Sequence, residues 1–250
     1  MRASLAILAT SLAASMLGLN VLKPVVLSAS IFSQFDRTNI PDYSLEAFSN
    51  HCVVVSRCAH RIAEYEQMEK MVADAKQKWG GVHVLINNAG VLRDKSFAKM
   101  EPADFEFVVD VHLNGSANAT KAVWETMREQ AYGRILMTAS STGLFGNFGQ
   151  ANYSAAKMGI FALSNSIALD MQRFGVRSNC IAPFAWSRLI ATIPATNPDE
   201  EKRIERMKTM TTDKIAPMVA ALLSDGARDV SGQTFGVRKN EIFLFNKPRP

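Results

Sequence analysis

Across its first 79 residues the chain contains one glycine, Gly18. A backbone that must approach a phosphate closely, or adopt positive φ, relies on glycine. No glycine-rich phosphate loop therefore opens this sequence. Basic clusters are missing as well. The net charge of +5 arises from 28 lysines and arginines against 23 acidic residues, and the cations nowhere form a block. That excludes a nucleic-acid footprint; the mild positive balance favours small anionic ligands at most. Cysteines are few and odd in number (Cys52, Cys58 and Cys180), and the four histidines are scattered. No metal-type spacing results, so no metal is expected. Buried thiols in a reducing compartment are the default reading.

Charge is also missing from residues 3–22, after which Lys23 and Pro24 interrupt and residues 25–35 are again uncharged. The first run is long enough for a signal sequence or a membrane anchor. Only Arg2 supplies a positive flank, however, and no clear cleavage site follows. A buried strand–helix unit explains the same run, and the two readings stay open. Membrane contact is open to residues 3–22 alone.

What remains is ordinary for a soluble globular protein: 250 residues, 48% hydrophobic and 20% charged, enough for one domain with a full core. From about residue 64 strand-like and helix-like stretches alternate. Residues 65–79 read as an amphipathic helix stopped by Gly80 and Gly81, and 82–86 as a buried strand running into Asn87, Asn88, Ala89 and Gly90. Residues 101–129 read as mostly helical, with Pro102 in the first turn and Gly115 interrupting. A strand at 134–138, a helix at 152–173 and a strand at 176–181 follow. Residues 199–210 and 214–224 are helical, and 232–237 form the last strand. Strands separated by helices predict a parallel sheet with helices on both faces, an α/β fold. Residues 1–62 lack this alternation and form an atypical N-terminal segment. Residues 63–250 form the domain proper.

The densest chemical signal is TASSTGLFGNFGQANYSAAK, which holds Ser140, Tyr153 and Lys157. Positions four apart share a helix face, so Lys157 lies one turn beyond Tyr153. A cation there is expected to lower the phenol pKa from about 10, making the tyrosine a usable proton donor or acceptor. The serine hydroxyl can hold a carbonyl or alcohol oxygen beside it. A Y-x-x-x-K pair alone arises by chance in roughly every second or third chain of this length. The serine thirteen residues upstream and the flanking strand and helix patterns make the set far more specific. The constellation reads as oxidoreductase chemistry.

With N-N-A-G at 87–90, Ser140, Y-S-A-A-K at 153–157 and N-C-I-A-P at 179–183, the chain from about residue 65 resembles the short-chain dehydrogenase/reductase family. The segments VLRDKSF, DVHLNGS, YGRILMTAS, GNFGQANYSAAK and SGQTFGVRKNEIFLF look like its (3R)-hydroxyacyl-CoA dehydrogenase branch. The resemblance implies a Rossmann-like, doubly wound parallel sheet in a single domain, with an atypical or incomplete N-terminal βαβ unit. It implies NAD or NADP as cofactor and a small-molecule substrate, an acyl thioester or another secondary alcohol or ketone. Tyr153 would be the general acid/base, and Lys157 would tune it and bind the nicotinamide ribose. Ser140 would polarise the substrate oxygen, and His112 would fill the family's fourth catalytic position, usually asparagine; a histidine that only packs is the alternative. Asn88, Ala89 and Gly90 would line the cofactor cleft. Pro183 and then Ser187 or Arg188 would meet the nicotinamide carboxamide or a phosphate, although Phe184 stands where many members have glycine. Residues 189–210 would form the substrate lid. A homodimer or homotetramer in the cytoplasm is implied, with a peroxisomal or membrane-anchored location as the alternative.

The family's T-G-x-x-x-G-x-G motif is what the missing glycines cost this chain. The best register begins at Thr10 and continues through Ser11, Leu12, Ala13, Ala14, Ser15, Met16 and Leu17, replacing all three glycines. Three readings follow: a misread start upstream of about residue 62, a relative that no longer holds the cofactor well, or an anchor replacing the first βαβ unit. The abrupt return of the match near Tyr65 argues for the first. The residues that choose between NAD and NADP fall in the same unmatched part.

Overall fold

The computed structural model describes residues 7–10, 65–186 and 197–246. Its centre is a six-stranded sheet whose spatial order follows the chain, β1-β2-β3-β4-β5-β6. The strands are β1 (Ile7–Thr10), β2 (Val84–Asn87), β3 (Gly133–Thr138), β4 (Val176–Phe184), β5 (Thr234–Arg238) and β6 (Glu241–Leu244). The first five are parallel, and β6 returns antiparallel to β5. Helices joining parallel strands must cross over the sheet, so they cover both of its faces.

One face carries α1 (Tyr65–Trp79), α3 (Gly115–Glu129) and α5 (Ala151–Met171). Met68, Val72 and Ala75 recur on one side of α1 and meet Ala119, Val123 and Met127 of α3 above Leu85, Ile135 and Met137. Ile160, Ile167 and Met171 continue this layer over Val176 and Cys180. On the opposite face Leu136 and Ile181 bury against Leu222 of α7 (Ala216–Leu223). Leu136, pointing one way, and Ile135 and Met137, pointing the other, are all buried. Each such side chain contributes roughly 1.5–3 kcal/mol through burial. β3 is therefore a near-continuous apolar run, as a strand covered on both faces must be.

Several boundaries differ from the sequence expectation for identifiable reasons. The long helix predicted over 101–129 is α2 (Pro102–Val109) and α3, joined by a π-helical turn at Asp110–Asn114. Gly115 does not break it; the widened turn lies before the glycine. β4 runs beyond residue 181 to Phe184, because Pro183 keeps its place in register with Val237 at the strand's far end. The tail supplies a further strand, β6, after a turn in which Lys239 has φ 54°. A short helix, α4 (Ser141–Phe145), follows β3 directly. α6 (Pro198–Lys208) is N-capped by Asn197, whose side chain accepts from the Glu200 N–H at 2.9 Å.

Within residues 1–62, β1 is the described part. Its backbone pairs with β2 in the register Thr10↔Asn87, so Thr10 ends level with the asparagine pair. The rest of the uncharged run lies outside the described residues. Among the described residues no helix is long and apolar enough to cross a membrane.

Candidate active site

Ser140, Tyr153, Lys157 and His112 converge at the carboxyl ends of β2 and β3, the edge where parallel α/β sheets hold ligands. Three local structures place them. Ser140 lies two residues beyond β3 and N-caps α4, its Oγ accepting from the Thr142 N–H at 3.1 Å. Tyr153 and Lys157 lie on successive turns of α5. His112 sits in the π-helical turn, a distortion that recurs at functional sites.

Gly143 sets the spacing between α4 and α5. A Cβ there would lie 2.8 Å from the Met158 backbone nitrogen and 2.9 Å from the Lys157 carbonyl carbon. Only glycine lets the two backbones approach so closely, which brings Ser140 within hydrogen-bond reach of the Tyr153 hydroxyl. Gly90 has the parallel role on the other side. A Cβ there would stand 2.5 Å from Cε1 of His112.

Lys157 is 3% exposed, and its ammonium donates to the Thr138 carbonyl at 2.6 Å. The Thr138 hydroxyl in turn donates to Asn88 Oδ1 at 2.9 Å. The end of β3 thus couples the lysine to the asparagine pair. Lys157 Nζ lies 5.5 Å from the Tyr153 ring centroid, and the His112 ring meets that ring edge-on at 5.2 Å. His112 Nε2 is 3.0 Å from the Val91 nitrogen and 2.9 Å from its oxygen; which of the two it bonds depends on the tautomer. Its Nδ1 is buried with no protein partner.

The titration order corrects one expectation. Lys157 does not draw the phenol down. Burial pushes the Tyr153 pKa up, the hydrogen bond from Ser140 pulls it down, and the negative charge of Asp94 raises it again. Burial lowers the Lys157 ammonium from 10.5 to about 7, with Cys180 opposing. The i,i+4 spacing puts a cation nearby, but loss of water around both groups outweighs their attraction. Burial, then the Lys157 charge, pushes His112 from 6.5 to about 3 against the Val91 hydrogen bond. His112 is therefore neutral at physiological pH.

The other expected cofactor residues fall into place unevenly. Asn88 is tied to Thr138, Ala89 packs on the core beneath, and Gly90 abuts His112. Pro183 lies at the end of β4. Phe184 contacts the Phe243 ring, with centroids 5.9 Å apart, so it stacks against the tail strand where the family usually has glycine. Ser187 and Arg188 lie outside the described residues, as does the first part of the expected lid. Asn179 ties β4 to the segment before β5: its Nδ2 donates to the Val230 carbonyl at 2.9 Å and its Oδ1 accepts from the Gln233 N–H at 3.0 Å. Among the described residues no group of three or more histidine, cysteine or carboxylate side chains is arranged to hold a metal.

Sequence reasoning missed Thr138, Asp94 and Gln150. Thr138 acts on the lysine through its backbone carbonyl, which leaves no trace in residue type. Asp94 and Gln150 meet from 56 positions apart.

The described residues fit the nicotinamide end of a dinucleotide. A buried cation, a phenol and an asparagine-linked strand end stand together, and Asn87 Oδ1 and His112 Nδ1 are buried without protein partners.

Over residues 37–239 the chain matches the family described as Enoyl-(Acyl carrier protein) reductase. It is 40% identical over 174 residues to the peroxisomal multifunctional enzyme type 2 of Mus musculus, covering 68% of this chain and 23% of that protein. It is 36% identical over 180 residues to the acetoacetyl-CoA reductase of Allochromatium vinosum, covering 70% of this chain and 72% of the other. The crystal structure of a short chain dehydrogenase from Mycobacterium avium superimposes with a TM-score of 0.65 at 34% identity, covering 76% of this chain and 63% of that one. The chain thus spans about a quarter of the mouse relative's length. These matches join the geometry already described: the chain belongs to the short-chain dehydrogenase/reductase family of NAD(P)-dependent oxidoreductases.

Proposed function

We propose that this chain interconverts a 3-hydroxyacyl thioester and the corresponding 3-oxoacyl thioester, with residues 63–250 as the catalytic domain. The observation that carries the reading is Tyr153 one helical turn from a buried Lys157 that the Thr138 carbonyl holds, with the Ser140 hydroxyl acting on the phenol to lower its pKa. The substrate class is supported by the names of the relatives, a peroxisomal multifunctional enzyme and an acetoacetyl-CoA reductase.

Ser140 donates to the substrate oxygen and stabilises the charge that grows on it. Tyr153 gives its proton to that oxygen when the ketone is reduced and takes it back when the alcohol is oxidised. Burial keeps the phenol protonated, the form reduction requires. Lys157, when charged, favours the phenolate left behind and would hold the nicotinamide ribose together with Tyr153. Asn88, Ala89, Gly90 and Pro183 would line the cofactor cleft; Ser187 and Arg188, the two candidates for the carboxamide or phosphate contact, lie outside the described residues. His112 holds Val91 and the edge of the Tyr153 ring. The bound dinucleotide, NAD or NADP, supplies or accepts the hydride at the carbon bearing the oxygen.

Exposed Met158 and Leu169 on α5 support a homodimer or homotetramer built on the α3 and α5 faces. We place the protein in the cytoplasm; the peroxisomal relatives support a peroxisome as the alternative.

The test is the absorbance change of NADH or NADPH with acetoacetyl-CoA, measured for the wild type and Tyr153→Phe. Turnover abolished by the substitution is expected. No dinucleotide binding at millimolar concentration would overturn the reading. One observation favours a second reading, a catalytically impaired binding or scaffold protein: β1 ends at Thr10 level with Asn87, and the next seven residues contain no glycine. Normal turnover excludes it.

A further inference from the structure

We propose that Asp94 is a positioning residue of the catalytic centre, acting through Gln150 to clamp the loop between Ser140 and Tyr153. The inference rests on Tyr153 being the acid/base group.

Gly146 and Gly149 both have positive φ, 74° and 75°, a conformation other residues rarely adopt, so the loop between Ser140 and Tyr153 turns on two glycines. Gln150 follows at the N-cap of α5, yet its side chain does not cap the helix. It is 7% exposed and reaches across to the segment after β2. Its Nε2 donates to Asp94 Oδ2 at 2.8 Å, and its Oε1 accepts from Asn147 Nδ2 at 2.9 Å. Two further links join the same segments. The Lys95 N–H donates to the Gly149 carbonyl at 2.9 Å, and Asn152 Nδ2 donates to the Arg93 carbonyl at 3.1 Å. Asn152 Oδ1 also accepts the Tyr153 N–H at 2.7 Å, so the clamp closes on the tyrosine's own backbone.

The Asp94 segment is itself anchored. Val91 is held by His112, and Arg93 and Lys95 both pair with Asp104, at 3.8 and 2.9 Å. Those two cations are thus engaged elsewhere, and the amide of Gln150 is the partner of the Asp94 carboxylate. Around Tyr153 stand Ser140, His112, Lys157 and Asp94. Of these, Asp94 supplies the negative charge, which the phenol senses. A clamp that merely stabilised the fold would leave the phenol's titration unmoved.

Asp94→Asn keeps an acceptor for Gln150 and removes the charge, whereas Asp94→Ala and Gln150→Leu remove the clamp. A hydroxyl displaced by about 1 Å costs on the order of 100-fold in rate. Asp94→Ala and Gln150→Leu are therefore expected to lower kcat by at least about tenfold with little change in KM for the dinucleotide. Asp94→Asn should recover most of that loss while moving the tyrosine-dependent limb of the pH profile to lower pH. In parallel, 13C-labelled tyrosine spectra, assigned with Tyr153→Phe, read the phenol without turnover. A shifted Tyr153 resonance in Asp94→Ala is expected. A folded Asp94→Ala protein with an unmoved resonance and kcat within twofold of wild type overturns the clamp. If the wild type fails to turn over acetoacetyl-CoA while Asp94→Ala still shows the shifted resonance, the clamp is retained and the dehydrogenase reading is lost.

Discussion

Lys157→Met should abolish catalysis and make the protein more stable. The lysine is 3% exposed and its pKa falls from 10.5 to about 7. The gap corresponds to about 5 kcal/mol, at roughly 1.4 kcal/mol per tenfold change in proton affinity. For a base whose folded pKa is depressed, the charged form is the one the fold disfavours. The penalty is therefore full below pH 7, shrinks as pH rises from 7 to 10.5, and is gone above 10.5. Methionine matches the lysine stem and has no charge to desolvate. Against the gain stands the Thr138 carbonyl, which loses its 2.6 Å partner at a cost of about 1–3 kcal/mol. The net expectation at pH 7 is stabilisation by about 3 kcal/mol, or about 6–12 °C in Tm for a chain of this size.

The assay is denaturant or thermal unfolding of both proteins at pH 7 and pH 9.5. The difference should narrow by about 2 kcal/mol or more at the higher pH, because the wild type has by then shed its proton in the folded state. A Lys157→Met protein less stable than wild type at pH 7 refutes the reasoning, as does a difference independent of pH. Either result would mean that the ammonium is solvated or paired in a way its burial and single carbonyl contact do not express.

Three other outcomes follow from particular contacts. Gly143→Ala places a Cβ against the Met158 and Lys157 backbone; a destabilisation of about 1–3 kcal/mol is expected, with a larger proportional loss in kcat because Ser140 moves with α4. Acid unfolding should depend on His112: its pKa falls from 6.5 to about 3, so stability drains as pH falls from 6.5 to 3, by at most about 5 kcal/mol. His112→Leu should flatten that part of the stability–pH curve, and an unchanged slope would show the histidine to be hydrated. Finally, if the glycine-free sequence after Thr10 holds the diphosphate weakly, reduced nicotinamide mononucleotide should serve within about tenfold of NADH in kcat/KM, a difference of about 1.4 kcal/mol; a preference of several orders of magnitude for the dinucleotide would refute weak diphosphate binding.

Where the sequence was legible, local periodicity governed the structure. Residues 65–79 bury Met68, Val72 and Ala75 on one helical face, and helix α1 has the predicted bounds. The Ser140–Tyr153–Lys157 set was readable because two of its members share a helix and the third caps the short helix that follows an adjacent strand. Legibility failed where one residue's neighbours come from far along the chain. Nothing in residue type marks the π-helical turn at Asp110–Asn114, since the extra residue in that turn is accommodated by α5 and the Val91 segment packing against it. The phenol's pKa went the wrong way because i,i+4 spacing reports the nearby cation but not the burial that removes water from both groups. The strand predicted over 176–181 continues through Pro183 to Phe184, because its pairing with β5 carries on past the proline.

These failures share one physical cause, and it bears on the unmatched N-terminal segment. β1 reaches β2 in the register Thr10↔Asn87 without any glycine motif, because strand pairing needs only backbone groups and apolar neighbours. Phosphate binding needs more: a turn whose conformation and lack of side chains admit the ligand. The first strand of the fold can therefore persist in a sequence that has lost the cofactor turn. Family membership and cofactor affinity are separable properties of this chain, and dinucleotide binding, rather than fold, is the measurement that divides an active dehydrogenase from a silent one.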